Sequence, residues 1–186
     1  MTGMSQLWLP ILLSAVAVFI VSSVIHMMTP WHKSDYPKLP NEDKVRDALR
    51  PLGIPPGDYF VPCPSDMKEM GTEAFKEKLN QGPNFIMTMF PTGQRGMGGS
   101  LVLWFLYSLV VSGSAAFIAS RTWGPEAPQR GLIHFVGLTS WLAYSAALWQ
   151  LSIWYRRSWL TTIKATIDGA IYAAVTAGIF IWLWPK

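Results

Sequence analysis

Hydrophobic and polar positions in this chain separate into long blocks instead of alternating. Four runs carry almost no charge: residues 7–28, 100–120, 131–155 and 169–184. Each approaches the roughly 20 residues that an α-helix needs to cross a bilayer. The last run alone would span only about 24 Å at 1.5 Å per residue, so its helix is expected to begin earlier, near residue 161. The pattern predicts an all-α membrane protein with four transmembrane helices over 7–28, 100–120, 131–155 and 161–184. A small α+β extramembrane insertion, residues 29–99, separates the first helix from the second.

Within the insertion, Leu39-Pro40-Asn41-Glu42-Asp43 reads as a helix start, with Asn41 as N-cap and acids in the first turn, running to Arg50. Pro51 and Gly53 end it. Tyr59-Phe60-Val61 follows as a short strand. Thr72 caps a second helix whose Phe75 and Leu79 share one face, and Gly82-Pro83 closes it. Residues 85–90 form a second strand candidate. A segment of about 70 residues is near the lower limit for an independent core, so it is expected to lean on the membrane surface or a partner.

Composition strengthens the class. Hydrophobic residues make up 51% and charged residues 14%, against about 25% charged in soluble domains. Of the 10 tryptophans, Trp8, Trp31, Trp104, Trp123, Trp154, Trp159, Trp182 and Trp184 lie near run ends, where indole rings settle at headgroup level. The single Cys63 cannot form an internal disulfide. Residues 1–6 carry no Lys or Arg, so the first run is expected to stay in the mature protein.

The insertion carries Lys33, Lys38, Lys44, Arg46, Arg50, Lys68, Lys76, Lys78 and Arg95, and the third connection adds Arg156, Arg157 and Lys164. The opposite side has only Arg121, Arg130 and Lys186. Positive-inside counting therefore places the insertion in the cytoplasm and both termini outside. A net charge of +4 fits anionic lipid headgroups better than nucleic acid, for which no basic cluster interleaved with aromatics is present.

Small residues stripe the helices. Ala165, Gly169, Ala173 and Ala177 recur every four positions in the fourth run, with Ala170, Ala174 and Gly178 beside them. Ser108, Ser112 and Ala116 do so in the second run, and Ala143 and Ala147 in the third. Such faces let helices approach closely in lipid, either within one bundle or against another subunit. Asp168 falls inside the membrane margin. It is expected to find a partner in Lys164, one turn earlier, or in Arg156 or Arg157, as an ion pair pinning the third and fourth helices; the alternative is a proton or cation site.

His26, His32 and the methionines raise a metal question. Met67-x-x-Met70 and Met87-x-Met89, with Cys63, offer soft ligands suited to Cu(I). Against this, Met87 and Met89 share a strand face as ordinary packing residues would, and His26 and His32 are not at a helical ligand spacing. His134, alone in the third run, reads as a packing or interface histidine, and no paired histidines suggest haem. The simplest expectation is no cofactor. No Gly-x-Ser-x-Gly, phosphate loop or His-Glu-x-x-His occurs, and the glycine-rich stretch 93–99 lacks a Gly-Lys-Ser/Thr ending.

Residues 22–28 and 31–36, from Ser22 through His26 and Trp31-His32-Lys33 to Tyr36, together with residues 148–155 and Asp168-Gly169, resemble an uncharacterised family of small bacterial four-span integral membrane proteins. The likeness runs along nearly the whole chain. It implies a bacterial inner-membrane location and one four-span unit, and it transfers no activity.

The chain is therefore expected to be a non-catalytic accessory or assembly subunit of a bacterial inner-membrane complex, binding other membrane proteins or itself through small-residue helix faces. A second expectation is an ion or small-solute carrier, with Asp168, Tyr172, Tyr144 and Gln150 lining a polar path between the third and fourth helices. A third is a copper or haem handling protein using His26, His32, Met87 and Met89.

Overall fold

The computed structural model describes residues 2–94 and 96–186. Arg95, counted above among the basic residues of the insertion, lies outside them. The chain divides into two compact units: one comprises Met1–Pro37 with Gly96–Lys186, the other Lys38–Arg95.

The first unit contains four long apolar helices: α1 (Trp8–Met28), α5 (Gly98–Thr122), α6 (Gln129–Ile153) and α7 (Trp159–Leu183). They pack in a ring, α1 against α5 and α7, and α6 against α5 and α7. Only 28% to 39% of each helix's most apolar stretch is buried inside the protein. Outward positions include Ile20, Leu103, Val110 and Ile163. Water would not tolerate an apolar surface of this extent, whereas a bilayer would cover it, so the protein is a multi-pass membrane protein.

Small side chains set the spacing of the bundle. Ser108, Ser112, Ala115, Ala116 and Ala119 of α5 are buried, and the Ser112 hydroxyl donates to the Ile11 carbonyl of α1 at 3.1 Å. On α7, Gly169, Ala173 and Ala177 are buried and Ala165 partly so. A Cβ on Gly169 would run into Ser145 Oγ of α6, so glycine allows the close approach of the two helices. The third helix departs from the expected pattern: Ala143 and Ala147 are exposed, and its inward face is carried by Ser140, Tyr144, Ser145 and Ser152. A π turn at Ile133–Gly137 and a 3-10 turn at Ala146–Leu148 interrupt α6, so a simple four-residue repeat does not track its inner face.

One end of the bundle gathers both chain ends and the α5–α6 connection. Thr2 N–H donates to the Trp123 carbonyl at 3.1 Å, Glu126 N–H to the Pro185 carbonyl at 3.0 Å, and Trp184 Nε1 to the Gly124 carbonyl at 3.0 Å. Leu7, Leu132, Val136, Phe180 and Trp184 pack beneath. The other end receives residues 29–37, which follow α1.

The second unit contains α2 (Glu42–Leu49), β1 (Gly57–Val61), α3 (Met67–Met70), α4 (Glu73–Gln81) and β2 (Phe85–Met89). The strands pair antiparallel, with Tyr59 opposite Met87. Thr72 caps α4 as expected, accepting from the Phe75 N–H at 3.2 Å. Asn41 precedes α2 but makes no side-chain cap; its backbone is left-handed, φ 53°, which turns the side chain away from the helix start. The short α3 was not anticipated, although Asp66 and Glu69 stand at capping-box spacing; Asp66 Oδ1 accepts from the Glu69 N–H at 2.7 Å. Among the described residues of this unit, Phe75 is the one buried hydrophobic side chain.

Candidate functional site

The charge-bearing end of the bundle is built from two places far apart in sequence. Residues 31–35 follow α1, and Lys164 and Asp168 stand one turn apart on the inner face of α7. Asp168 lies about 14 Å along its helix from Trp159, at 1.5 Å per residue, and residues 31–35 reach it there.

His32 is the hub. Its Nδ1 lies 2.7 Å from Asp35 Oδ2 and its Nε2 2.8 Å from Asp168 Oδ2. Ionised carboxylates only accept, so the ring donates from both nitrogens when both carboxylates are ionised, and a neutral ring requires one carboxyl to keep its proton. Trp31 Nε1 donates to the other Asp168 oxygen at 3.1 Å. Lys164 Nζ spends all three hydrogens, on the Trp31 carbonyl at 2.7 Å, Ser34 Oγ at 2.8 Å and Asp35 Oδ1 at 2.9 Å. It also sits 5.5 Å from the Trp31 ring centre. Lys164 and His32 thus face Asp35 and Asp168 in a closed network. The four side chains are between 4% and 16% exposed, which makes full pairing a requirement rather than a convenience.

Asp35 belongs to the segment outside the spans. Desolvation works to raise its carboxyl, but hydrogen bonds from His32 and Lys164, with their charges, outweigh that and hold it below the ordinary carboxylate value.

His26 reaches the same place from α1. The last residues of that helix form a π turn, Val24–Met28. Side chains cap its carbonyls: Thr29 Oγ1 donates to Ile25 O at 2.6 Å, and His26 Nδ1 bonds Ser22 O at 3.0 Å. The His26 ring stacks on His32 with centroids 4.3 Å apart and planes within 12°. One potential ligand atom from each of His26, His32 and Asp168 lies within 4.8 Å of the others. Beside the cluster opens a cavity of about 620 Å³, walled by Ile25, Pro30, Trp31, Ile167 and Ile171.

Several expected partnerships are replaced by others. Asp168 bonds His32 and Trp31, not Lys164, Arg156 or Arg157; Lys164, although one turn away, points to Asp35. Asp35 brings a second carboxylate to the cluster. Trp31, assigned to the membrane border, is a hydrogen-bond donor within the cluster. His26 and His32 meet despite a non-helical spacing, because the chain leaves the helix between them. Met87 and Met89 belong to β2 of the other unit, on the partly buried face that also carries Tyr59.

The carrier residues scatter. Tyr172 and Tyr144 meet edge to face at 5.4 Å and Trp104 joins them, with its Nε1 donating to Ser22 Oγ at 2.8 Å. Gln150 is exposed on α6. The cavity at Asp168 is walled by α1, residues 29–31 and α7, whereas the groove between α6 and α7 has mostly apolar walls. Sequence reasoning missed Trp31, Ser34 and Asp35; the available signal was a knot of aromatic, imidazole and charged side chains within five residues of a span's end.

No protein-family model, curated protein or solved structure matches this chain, so the resemblance to a bacterial family stands on the quoted residues alone.

Proposed function

We propose that the chain is a non-catalytic accessory or assembly subunit of a bacterial inner-membrane complex, and that its partner is a transmembrane helix of another integral membrane protein. The observation that carries this reading is a groove of about 400 Å³ on the outer side of α6 and α7, floored by Gly137, Ala170, Ala173, Ala174 and Ala177. Ala170, Ala174 and Gly178 are exposed, and a Cβ added at Gly178 would meet nothing. In lipid the occupant must satisfy its own backbone, which selects a helix, and small residues allow its close approach. His134 and Trp141 line the same groove. An imidazole facing hydrocarbon is costly until a partner meets it. The insertion on the cytoplasmic side and both termini outside, by positive-inside counting, complete the proposal.

Cysteine placed at Ala174 in a Cys63→Ser background tests it by crosslinking in intact membranes, with Val110→Cys as the lipid-facing comparison. A discrete adduct from position 174 that is absent from position 110, and lost when Gly178→Leu is added, supports the reading. Equal labelling at both positions sinks it, and an adduct of twice the chain's own mass replaces it with self-association.

A further inference from the structure

His26, His32 and Asp168 supply two imidazoles and one carboxylate at one end of the bundle, and each has its remaining polar atom already held. His26 Nδ1 is on the Ser22 carbonyl at 3.0 Å, which leaves Nε2 as the free position. His32 Nδ1 is on Asp35 Oδ2 at 2.7 Å, which orients Nε2 toward Asp168. Asp168 Oδ1 takes the Trp31 indole hydrogen at 3.1 Å, which leaves Oδ2 toward His32. Outer partners of this kind, a carbonyl or carboxylate behind each imidazole and a donor behind the carboxylate, fix ligand orientation at metal centres. A purely structural ion pair has no need of the second histidine.

We propose that His26 Nε2, His32 Nε2 and Asp168 Oδ2 form a binding site for a borderline divalent first-row cation such as Zn²⁺. Two nitrogens and one oxygen match the three-ligand sites that leave a fourth position open. The donor set is imidazole and carboxylate, which separates the site from the Cu(I) chemistry that the methionines of the insertion suggested. The ion takes the place of the hydrogen between His32 and Asp168. A tetrahedral centre with ligands at about 2.0 to 2.2 Å needs roughly 3.3 Å between those two atoms, so the 2.8 Å separation opens by a fraction of an ångström. Nearly parallel rings cannot both point a lone pair in-plane at one ion, so His26 turns. His26 is exposed, so turning its ring gives up the stack on His32 without moving a buried side chain. Asp35 stays behind His32 and Lys164 stays on Asp35, so the rest of the network persists.

The test uses the full-length chain without a polyhistidine tag, purified in mild detergent, stripped with a chelator and titrated with Zn²⁺ against a chromophoric competitor. One zinc per chain is expected, with binding weakened at least tenfold in His26→Ala and unchanged in Met87→Leu or Cys63→Ser. Because His26 is exposed and outside the four-charge network, its variant tests ligation without removing a buried charge. X-ray absorption at the zinc edge should show two imidazoles and an oxygen donor. Substoichiometric zinc, equal affinity in His26→Ala and wild type, or a spectrum without two imidazoles would overturn the assignment. None of these readouts depends on a protein partner, so the site and the subunit role stand or fall separately.

Discussion

The two ends of the bundle are closed by different chemistry. At the end holding both termini, neutral groups do the closing: backbone N–H groups of Thr2 and Glu126 and the Trp184 indole meet carbonyls above a layer of Leu7, Leu132, Val136 and Phe180. At the other end, His32, Lys164, Asp35 and Asp168 close it with charge. Neutral bonds of the first kind do not respond to protons or ions. A buried charge network is complete only in one ionisation state, and its imidazoles and carboxylates are also metal donors. The difference places chemical responsiveness at the charged end.

The sharpest way to break this comparison is to unbalance the charged end. Lys164→Ala leaves Asp35 buried with one partner fewer, and loss of one member of a buried pair costs about 3 to 5 kcal/mol. Unfolding in detergent should show a fall of that order, and a loss below about 1 kcal/mol would mean the network is looser than its geometry. Mid-bundle packing ranks next. Gly169→Ala drives a methyl into Ser145 Oγ and should cost about 1 to 3 kcal/mol, typical of overpacking. Ser145 Oγ has no partner among the described residues, so Ser145→Ala in the same chain should restore most of it. Failure of that rescue would show that Tyr144 Cβ, not the hydroxyl, limits the approach.

At the neutral end, Trp184→Phe removes one hydrogen bond and keeps an aromatic ring, so a loss near 1 kcal/mol is expected from the same melt. The smallest effect concerns acid. Asp35 has a folded value below its unfolded one, near 3.8, so its contribution is complete above that pH and disappears as pH falls through the lower folded value. Hydrogen exchange of residues 29–37 should therefore owe no change to Asp35 between neutral pH and about pH 4. Faster exchange of that segment in the terminus-bearing end's favour, beginning only below that point, is the expected pattern; acceleration of both ends together would erase the distinction.

Much of the fold was legible in the chain because lipid imposes a simple rule: a long uncharged run must be helical and must cross. The four spans and the paired strands of the insertion follow from run length, caps and alternation. The stripe on α7 was legible too, since Gly169, Ala173 and Ala177 repeat with the helix. Its counterpart on α6 was not, because π and 3-10 turns shift which residues face inward. The site was half legible. Asp168 and Lys164 stood out as charges in a span, and His26 and His32 as candidate ligands. Their partners did not, since pairing across 129 or more residues depends on where residues 29–37 settle.

By itself, the sequence determined that this polypeptide lives in a membrane, how many times it crosses, and that its fourth helix carries charges needing partners, because hydrophobic run length and charge burial are local, additive properties. Only the tertiary structure decided who the partners are. A buried cation has several anions it could satisfy, and the choice of Asp35 for Lys164 and of His32 for Asp168 comes from the route the backbone takes after Met28, which no local rule contains.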